Sequence, residues 1–261
     1  ISSMTYDVDI LIVGAGPGGY EAALHAQKAG YSILLVDHHP VGGVCLHHGC
    51  IPSKTLLECI HTLKLSQQDP CTTYAKPDLS QKALQRHVKT IISTLHKGLQ
   101  HTLKNIPQKK GHAYFEDPHT CRIETEKGQE LVTFHHAILA TGSSPIIPPQ
   151  LDLGSTRIMT SKEALALSHI PSSLLIVGGG YIGVELGTIY SHLGTHVTLI
   201  EASSSLIPLA DHDLIAPITK SLLKTLTLHT DTSVTQLKTE SHHLHATFQK
   251  KGEEPQSLDI E

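Results

Sequence analysis

The chain has 261 residues, with 20 Lys plus Arg against 24 Asp plus Glu, a net charge of −4 with His neutral, and 39% hydrophobic residues. That is enough for one large or two ordinary domains with buried cores. No apolar run approaches the roughly 20 residues of a membrane span, and there is no clustered Lys/Arg stripe of the kind a nucleic-acid binder carries, so a membrane span and a nucleic-acid partner are excluded. Five cysteines are too few for a secreted disulfide scaffold, and the first residues lack the basic and apolar regions of a secretory signal. A reducing compartment is therefore expected: cytoplasmic, or the mitochondrial matrix in a eukaryote. The 21 histidines assign no function by themselves.

In chain order, Asp7 to Val13 is an apolar, β-branched run that predicts a strand. Gly14-Ala15-Gly16-Pro17-Gly18-Gly19 follows, then a helical pattern from Tyr20 to about Ala29, a stop at Gly30, and a second strand from Ser32 to Val36 closed by Asp37. An acidic residue about 20 positions after the first glycine completes a dinucleotide-binding fingerprint. Gly14 permits the tight turn, Gly16 lets backbone approach a pyrophosphate, and Gly19 lets helix and strand pack closely. The helix N-terminus supplies free N–H groups and a positive dipole end to the phosphates.

The chain then changes character. Ile51 to Leu65 reads as a helix that Pro52 can open, Gln67 to Pro77 as a polar break, and Leu84 to Leu103 as an amphipathic helix ended near Pro107. Strand-like pieces follow at His112–Phe115, Cys121–Thr125 and Leu131–Leu139, the last closing on Ala140-Thr141-Gly142-Ser143 before a Pro-rich stretch. The fingerprint pattern then recurs. Leu174 to Val177 leads into Gly178-Gly179-Gly180-Tyr181-Ile182-Gly183, a helix is expected from Val184 to about Leu193, and a strand from His196 to Ile200 ends at Glu201. Two fingerprints imply two dinucleotides that exchange something. Beyond Glu201, a helix is expected over Asp211–Leu226 with apolar Leu214, Ile215, Ile218, Leu222 and Leu223, and strands over Leu226–Val234 and Leu244–Gln249. The predicted class is α/β with two Rossmann-like dinucleotide-binding domains, divided as 1–148, including a close cysteine pair, and 149–261.

That pair lies in Gly42-Gly43-Val44-Cys45-Leu46-His47-His48-Gly49-Cys50-Ile51-Pro52-Ser53-Lys54. A helix N-terminus depresses a thiol pKa, and a pair placed there beside a dinucleotide can carry two electrons as dithiol and disulfide. Zinc binding by Cys45, His47, His48 and Cys50 is the rival reading. Six consecutive residues close a tetrahedron poorly, so no metal is assigned. Cys59, Cys71 and Cys121 have no partner motif.

Gly42 to Lys54 resembles the redox motif of the flavoprotein disulfide reductases, and its Cys-Leu-x-x-Gly-Cys-Ile-Pro-Ser-Lys form is similar to the dihydrolipoamide dehydrogenase branch, where glutathione and mercuric reductases favour Val at the positions of Leu46 and Ile51. Ala140 to Ser143 and the Gly111-His112-Ala113 turn match the family as well. The resemblance implies FAD on the first fingerprint, contacted by Gly14, Gly16, Gly19, Asp37, His38, His39, Pro40, Val41, Gly42, Gly43, Val44, Cys45, Lys54, Ala113, Thr141, Gly142 and Ser143. It implies NAD on Gly178, Gly179, Gly180, Tyr181, Ile182, Gly183, Val184 and Glu185, with Glu201 on the ribose and Val234 near the adenine.

The resemblance also implies that Cys45 and Cys50 form a redox-active disulfide, that Lys54 pairs with Glu185, and that Cys45 exchanges with dihydrolipoamide while Cys50 passes electrons through the flavin to NAD⁺. The implied partners are the lipoyl domain of a 2-oxoacid dehydrogenase complex and a second copy of the chain in a homodimer. Members take their thiol-exchange base from a C-terminal interface domain, so the sequence is expected to be the N-terminal portion of such an enzyme, lacking that domain and lacking turnover alone. Another disulfide reductase of the family, or a non-catalytic dinucleotide-binding or redox-sensing module, are the alternatives.

Overall fold

The computed structural model describes residues 5–68 and 80–261. The expected polar break at Gln67–Pro77 falls largely outside them, and Cys71 wholly so. The chain divides into two compact units, one of residues through Pro52 with Lys89–Ser144, the other of Ser53–Val88 with Pro145–Glu261.

The first unit is built on β1 (Val8–Val13), α1 (Pro17–Lys28) and β2 (Ile33–Asp37), followed by α2 (Gly43–His48), the start of α3 (Cys50–Gln68) and most of α4 (Gln81–Thr102). Strands β3 (Gln108–Lys110), β4 (His112–Asp117), β5 (Thr120–Thr125) and β6 (Gly128–Leu139) complete a six-stranded sheet of order β3-β2-β1-β6-β5-β4. β1 pairs in parallel with both β2 and β6, while β4, β5 and β6 form an antiparallel meander. Alternation along the strands separates two cores. Ile12 and Leu35 pack with Ala23, Ala26 and Leu103; Leu11 and Val36 pack with Cys121, Ile123 and Phe134.

The second unit repeats the theme with β7 (Ser173–Val177), α6 (Tyr181–His192), β8 (His196–Ile200), α7 (His212–Leu222) and β9 (Thr227–His229), preceded by the short α5 (Ser161–Ala166). β7, β8 and β9 form a parallel sheet. β10 (Thr232–Thr239), β11 (Leu244–Lys250) and β12 (Gln256–Ile260) form a separate antiparallel one. The α/β, two-Rossmann class expected from the sequence is the observed one. Among the described residues no helix is long and apolar enough to cross a membrane.

Several boundaries differ from the expectation. α1 starts at Pro17, capped by Gly16, because a missing N–H costs nothing in a first turn; α6 likewise starts at Tyr181, capped by Gly180. Both fingerprints therefore run into the helix itself. The strand expected over Leu226–Val234 is two, broken where Asp231 takes φ +52°. α7 ends at Leu222 and buries only Ile215 and Leu222, leaving Leu214, Ile218 and Leu223 exposed. The short elements α2, β3 and β12 carry no periodic signal and were not expected.

Candidate functional site

In the first unit, β1 delivers the chain to Gly14, whose N–H donates to the Val36 carbonyl at 2.8 Å. Gly14 has φ +102°, and a Cβ there would lie 2.0 Å from the Ala140 carbonyl oxygen. A Cβ on Gly19 would lie 1.7 Å from the Gly14 oxygen. Both positions exclude any side chain. Asp37, at the end of β2, accepts from the Ala15 N–H at 2.7 Å through one oxygen and from the His39 N–H at 2.8 Å through the other. The acid expected to meet a ribose is thus held under the glycine turn.

The cysteine segment docks on the same turn. Gly42 N–H donates to the Ala15 carbonyl at 2.8 Å, and Gly43, at φ +57°, sits so close that a Cβ would be 2.7 Å from Gly16 Cα. Gly16 and Gly43 make a backbone-walled cradle beside exposed Pro17 and Gly18, which fits an anionic pyrophosphate at the start of α1. The preceding loop is pinned at Val41, whose carbonyl accepts from His47 Nε2 at 2.9 Å and from His96 Nδ1 at 3.2 Å.

Cys45 lies half-buried in α2, and Cys50 is exposed as the first residue of α3. Gly49 joins the two helices as the residue that ends α2, where a Cβ would lie 3.1 Å from the Val44 carbonyl oxygen. His47 is committed to Val41, and among the described residues no three His, Cys, Asp or Glu side chains converge to hold a metal. Ala113 is half-buried on β4, and Thr141, Gly142 and Ser143 are exposed past the end of β6.

The second unit copies the hydrogen bonding of the first. Gly178 N–H donates to the Ile200 carbonyl at 2.8 Å. Gly179 N–H donates to one Glu201 oxygen at 2.6 Å and Ser203 N–H to the other at 2.7 Å. Burial pushes the Glu201 carboxyl up, but the N–H donors of Ser203 and Gly179 outweigh it and hold the group below its ordinary range. A Cβ on Gly183 would lie 1.9 Å from the Gly178 oxygen, whereas Gly178 and Gly180 face open space. Tyr181 and Ile182 are exposed and Val184 is buried. Lys54 Nζ bonds Glu185 Oε1 at 2.6 Å, the pairing the resemblance implied. Val234 lines an apolar cavity of about 910 Å³ beside β7, with Ile176, Val177 and Tyr181; Glu201 is not among its walls.

Reading the sequence missed His96, which reaches the site through tertiary packing and carries no local signal.

The sequence pattern of the pyridine nucleotide-disulphide oxidoreductase family matches residues 8–260. The chain is 34% identical over 260 residues to a dihydrolipoyl dehydrogenase of Bacillus subtilis (strain 168), covering 97% of this chain and 55% of that protein. It is 36% identical over 228 residues to one of Geobacillus stearothermophilus, covering 86% and 48%. Among solved structures it is similar to the Cu(II) complex of the HOCl-induced flavoprotein disulfide reductase RclA from Escherichia coli, with TM-score 0.80 and 25% identity over 98% of this chain and 55% of that one. The chain spans about half the length of the curated relatives it matches.

Proposed function

We propose a function from the premise that this chain belongs to the pyridine nucleotide-disulphide oxidoreductase family, whose members bind FAD and NAD(P): it carries the FAD site, the NAD site and the redox cysteines of a protein that converts dihydrolipoamide and NAD⁺ to lipoamide and NADH. The observation that carries this reading is the docking of the start of the cysteine segment on the first fingerprint, with the Gly42 N–H on the Ala15 carbonyl and Gly43 against Gly16. The protein is then the dihydrolipoyl dehydrogenase component of a 2-oxoacid dehydrogenase complex, taking a lipoyl domain as substrate carrier and acting as a dimer of the longer chain, in a reducing compartment.

Each residue has a task. The exposed N-terminal turn of α1 and the Gly16–Gly43 cradle hold the FAD pyrophosphate, and Asp37 accepts from a ribose hydroxyl. Cys45 and Cys50 as a disulfide accept two electrons from the substrate dithiol: their S–S bond breaks, the substrate's forms, and two cysteine thiols result. Cys50 opens α3 and is exposed there, within reach of a second thiol. Bound FAD supplies two-electron transfer between that dithiol and NAD⁺. Glu201 accepts from the NAD ribose and repels a 2′-phosphate, and no Arg follows it before Asp213, which favours NAD over NADP. Lys54 and Glu185 hold each other in place as an ion pair.

The test is an anaerobic titration of the FAD-loaded chain. Stoichiometric dihydrolipoamide should reduce the cysteine pair and raise a long-wavelength absorbance band while the flavin stays oxidised, glutathione should not, and Cys45→Ser should abolish the response. A long-wavelength band raised by glutathione with none raised by dihydrolipoamide would shift the assignment to another disulfide reductase, a reading supported by the likeness to the E. coli flavoprotein disulfide reductase.

A further inference from the structure

Val41 lies in the loop between β2 and α2, and its carbonyl oxygen takes two imidazole donors, His47 Nε2 at 2.9 Å and His96 Nδ1 at 3.2 Å. A carbonyl carries no proton, so both ring nitrogens donate, and the two bonds fill the oxygen's two acceptor positions. The ring centroids lie 5.2 Å apart, and both residues are half-buried. They come from different places. His47 stands in α2 between Cys45 and Cys50, while His96 stands in α4. Val41 itself is buried in the core with Ile12, Ala15 and Leu103, so the oxygen that the two rings share belongs to a fixed point of the fold.

The segment that follows Val41 needs such a point. α2 has six residues, too few to be stable as a helix by itself. It is entered through Gly42 at φ +108° and Gly43 at φ +57°, and glycine loses more freedom on ordering than any other residue. The Gly42 N–H on the Ala15 carbonyl holds the start of this segment. His47 ties its middle back to Val41, and His96 fixes the same oxygen from outside the segment. We propose that His47 and His96 are positioning residues for the redox pair, holding Cys45 and Cys50, through their clamp on the Val41 carbonyl, in the arrangement from which the disulfide closes. The proposal rests on the reading of those cysteines as the redox pair. With the clamp, much of the ordering that a disulfide demands is already met in the dithiol. Without it, closing the S–S bond must order the segment as well. The clamp therefore favours the disulfide over two thiols, and its loss raises the reduction potential.

The experiment equilibrates the 261-residue chain in mixtures of dithiothreitol and its oxidised form, and reads the Cys45–Cys50 disulfide by thiol alkylation and peptide mass spectrometry. As that bond forms, the ring S–S bond of oxidised dithiothreitol breaks and takes up the two thiol hydrogens. One hydrogen bond contributes roughly a factor of 2 to 12. The double variant His47→Leu/His96→Leu should therefore shift the equilibrium about tenfold toward the dithiol, a rise of about 30 mV in potential, and His96→Leu alone should shift it roughly threefold. A loss of overall stability alone weakens the disulfide and dithiol forms alike and leaves the potential unmoved. The amides restore the donors, since His96→Asn sets an N–H at the place of Nδ1 and His47→Gln one at the place of Nε2, and each should return to within about twofold of the parent. A double variant that stays within twofold of the parent, or a His96→Asn no better than His96→Leu, would overturn the clamp and leave the redox pair standing. His96 lies outside the cysteine segment, so its two single variants carry the test if the double variant does not fold. A parent chain whose Cys45 and Cys50 form no disulfide in any mixture would overturn both.

Discussion

The two fingerprints are the same motif in different surroundings. Each sets its first glycine at positive φ, bonds that glycine's N–H to the second strand, and ties its acid to the backbone N–H of the next residue. They differ in what stands beside the turn. β1 lies between β2 and β6, and the end of β6 brings Ala140 against Gly14. β7 pairs only with β8 among the described residues, and Gly178 meets nothing. The motif thus needs Gly19 and Gly183 for its own internal packing, whereas the demand at Gly14 is imposed by a neighbouring strand. The acids differ as well, since Glu201 is 9% exposed and Asp37 opens toward His38, whose Nδ1 lies 3.5 Å from its Oδ1.

The largest expected effect should be shared by both units. Gly19→Ala and Gly183→Ala each drive a Cβ into the carbonyl of their own turn, at 1.7 and 1.9 Å, and should each cost about 4 kcal/mol by urea unfolding; a mild effect at either position would break the equivalence. Next, Gly14→Ala should cost roughly 3 kcal/mol or more through its clash with Ala140, against about 1–3 kcal/mol at Gly178, where only the backbone conformation resists. Equal losses would show that the covering strand is not what distinguishes the units.

Smaller effects are expected at the acids. Glu201→Gln leaves one of two N–H donors facing an amide NH₂ and should cost about 2 kcal/mol, with Asp37→Asn nearer 1 kcal/mol because its site is wetter. Because the native Glu201 carboxyl is held below its unfolded value of 4.5, its contribution is complete above that pH and is lost as pH falls toward the lowered native value. Stability profiles should therefore show a shallower acid limb in Glu201→Gln than in the parent. Smallest of all, Lys54→Met should change stability by under about 1 kcal/mol, since the Lys54 side chain is 60% exposed. A larger loss in thermal unfolding would mean that the pair organises more of the second unit than its exposure implies.

Much of this was written in local patterns. The strand, glycine turn, helix and acid order was readable twice because strand runs, glycine spacing and closing acids are short-range signals. The cysteine segment was readable for the same reason. α2, β3 and β12 were not, because elements of three to six residues show no period; nor was the fate of the α7 stripe, where three of five apolar residues stay exposed. The sequence by itself determined that there are two dinucleotide turns, which glycines and acids make them, and that a cysteine pair follows the first. Only the tertiary structure decided that Gly43 seats that pair on Gly16, that His96 pins Val41 across 55 residues of chain, and that His112 stacks on His38. Those contacts depend on which strands pair and in what register, and that is set by packing over the whole sheet, which no local window of residues contains.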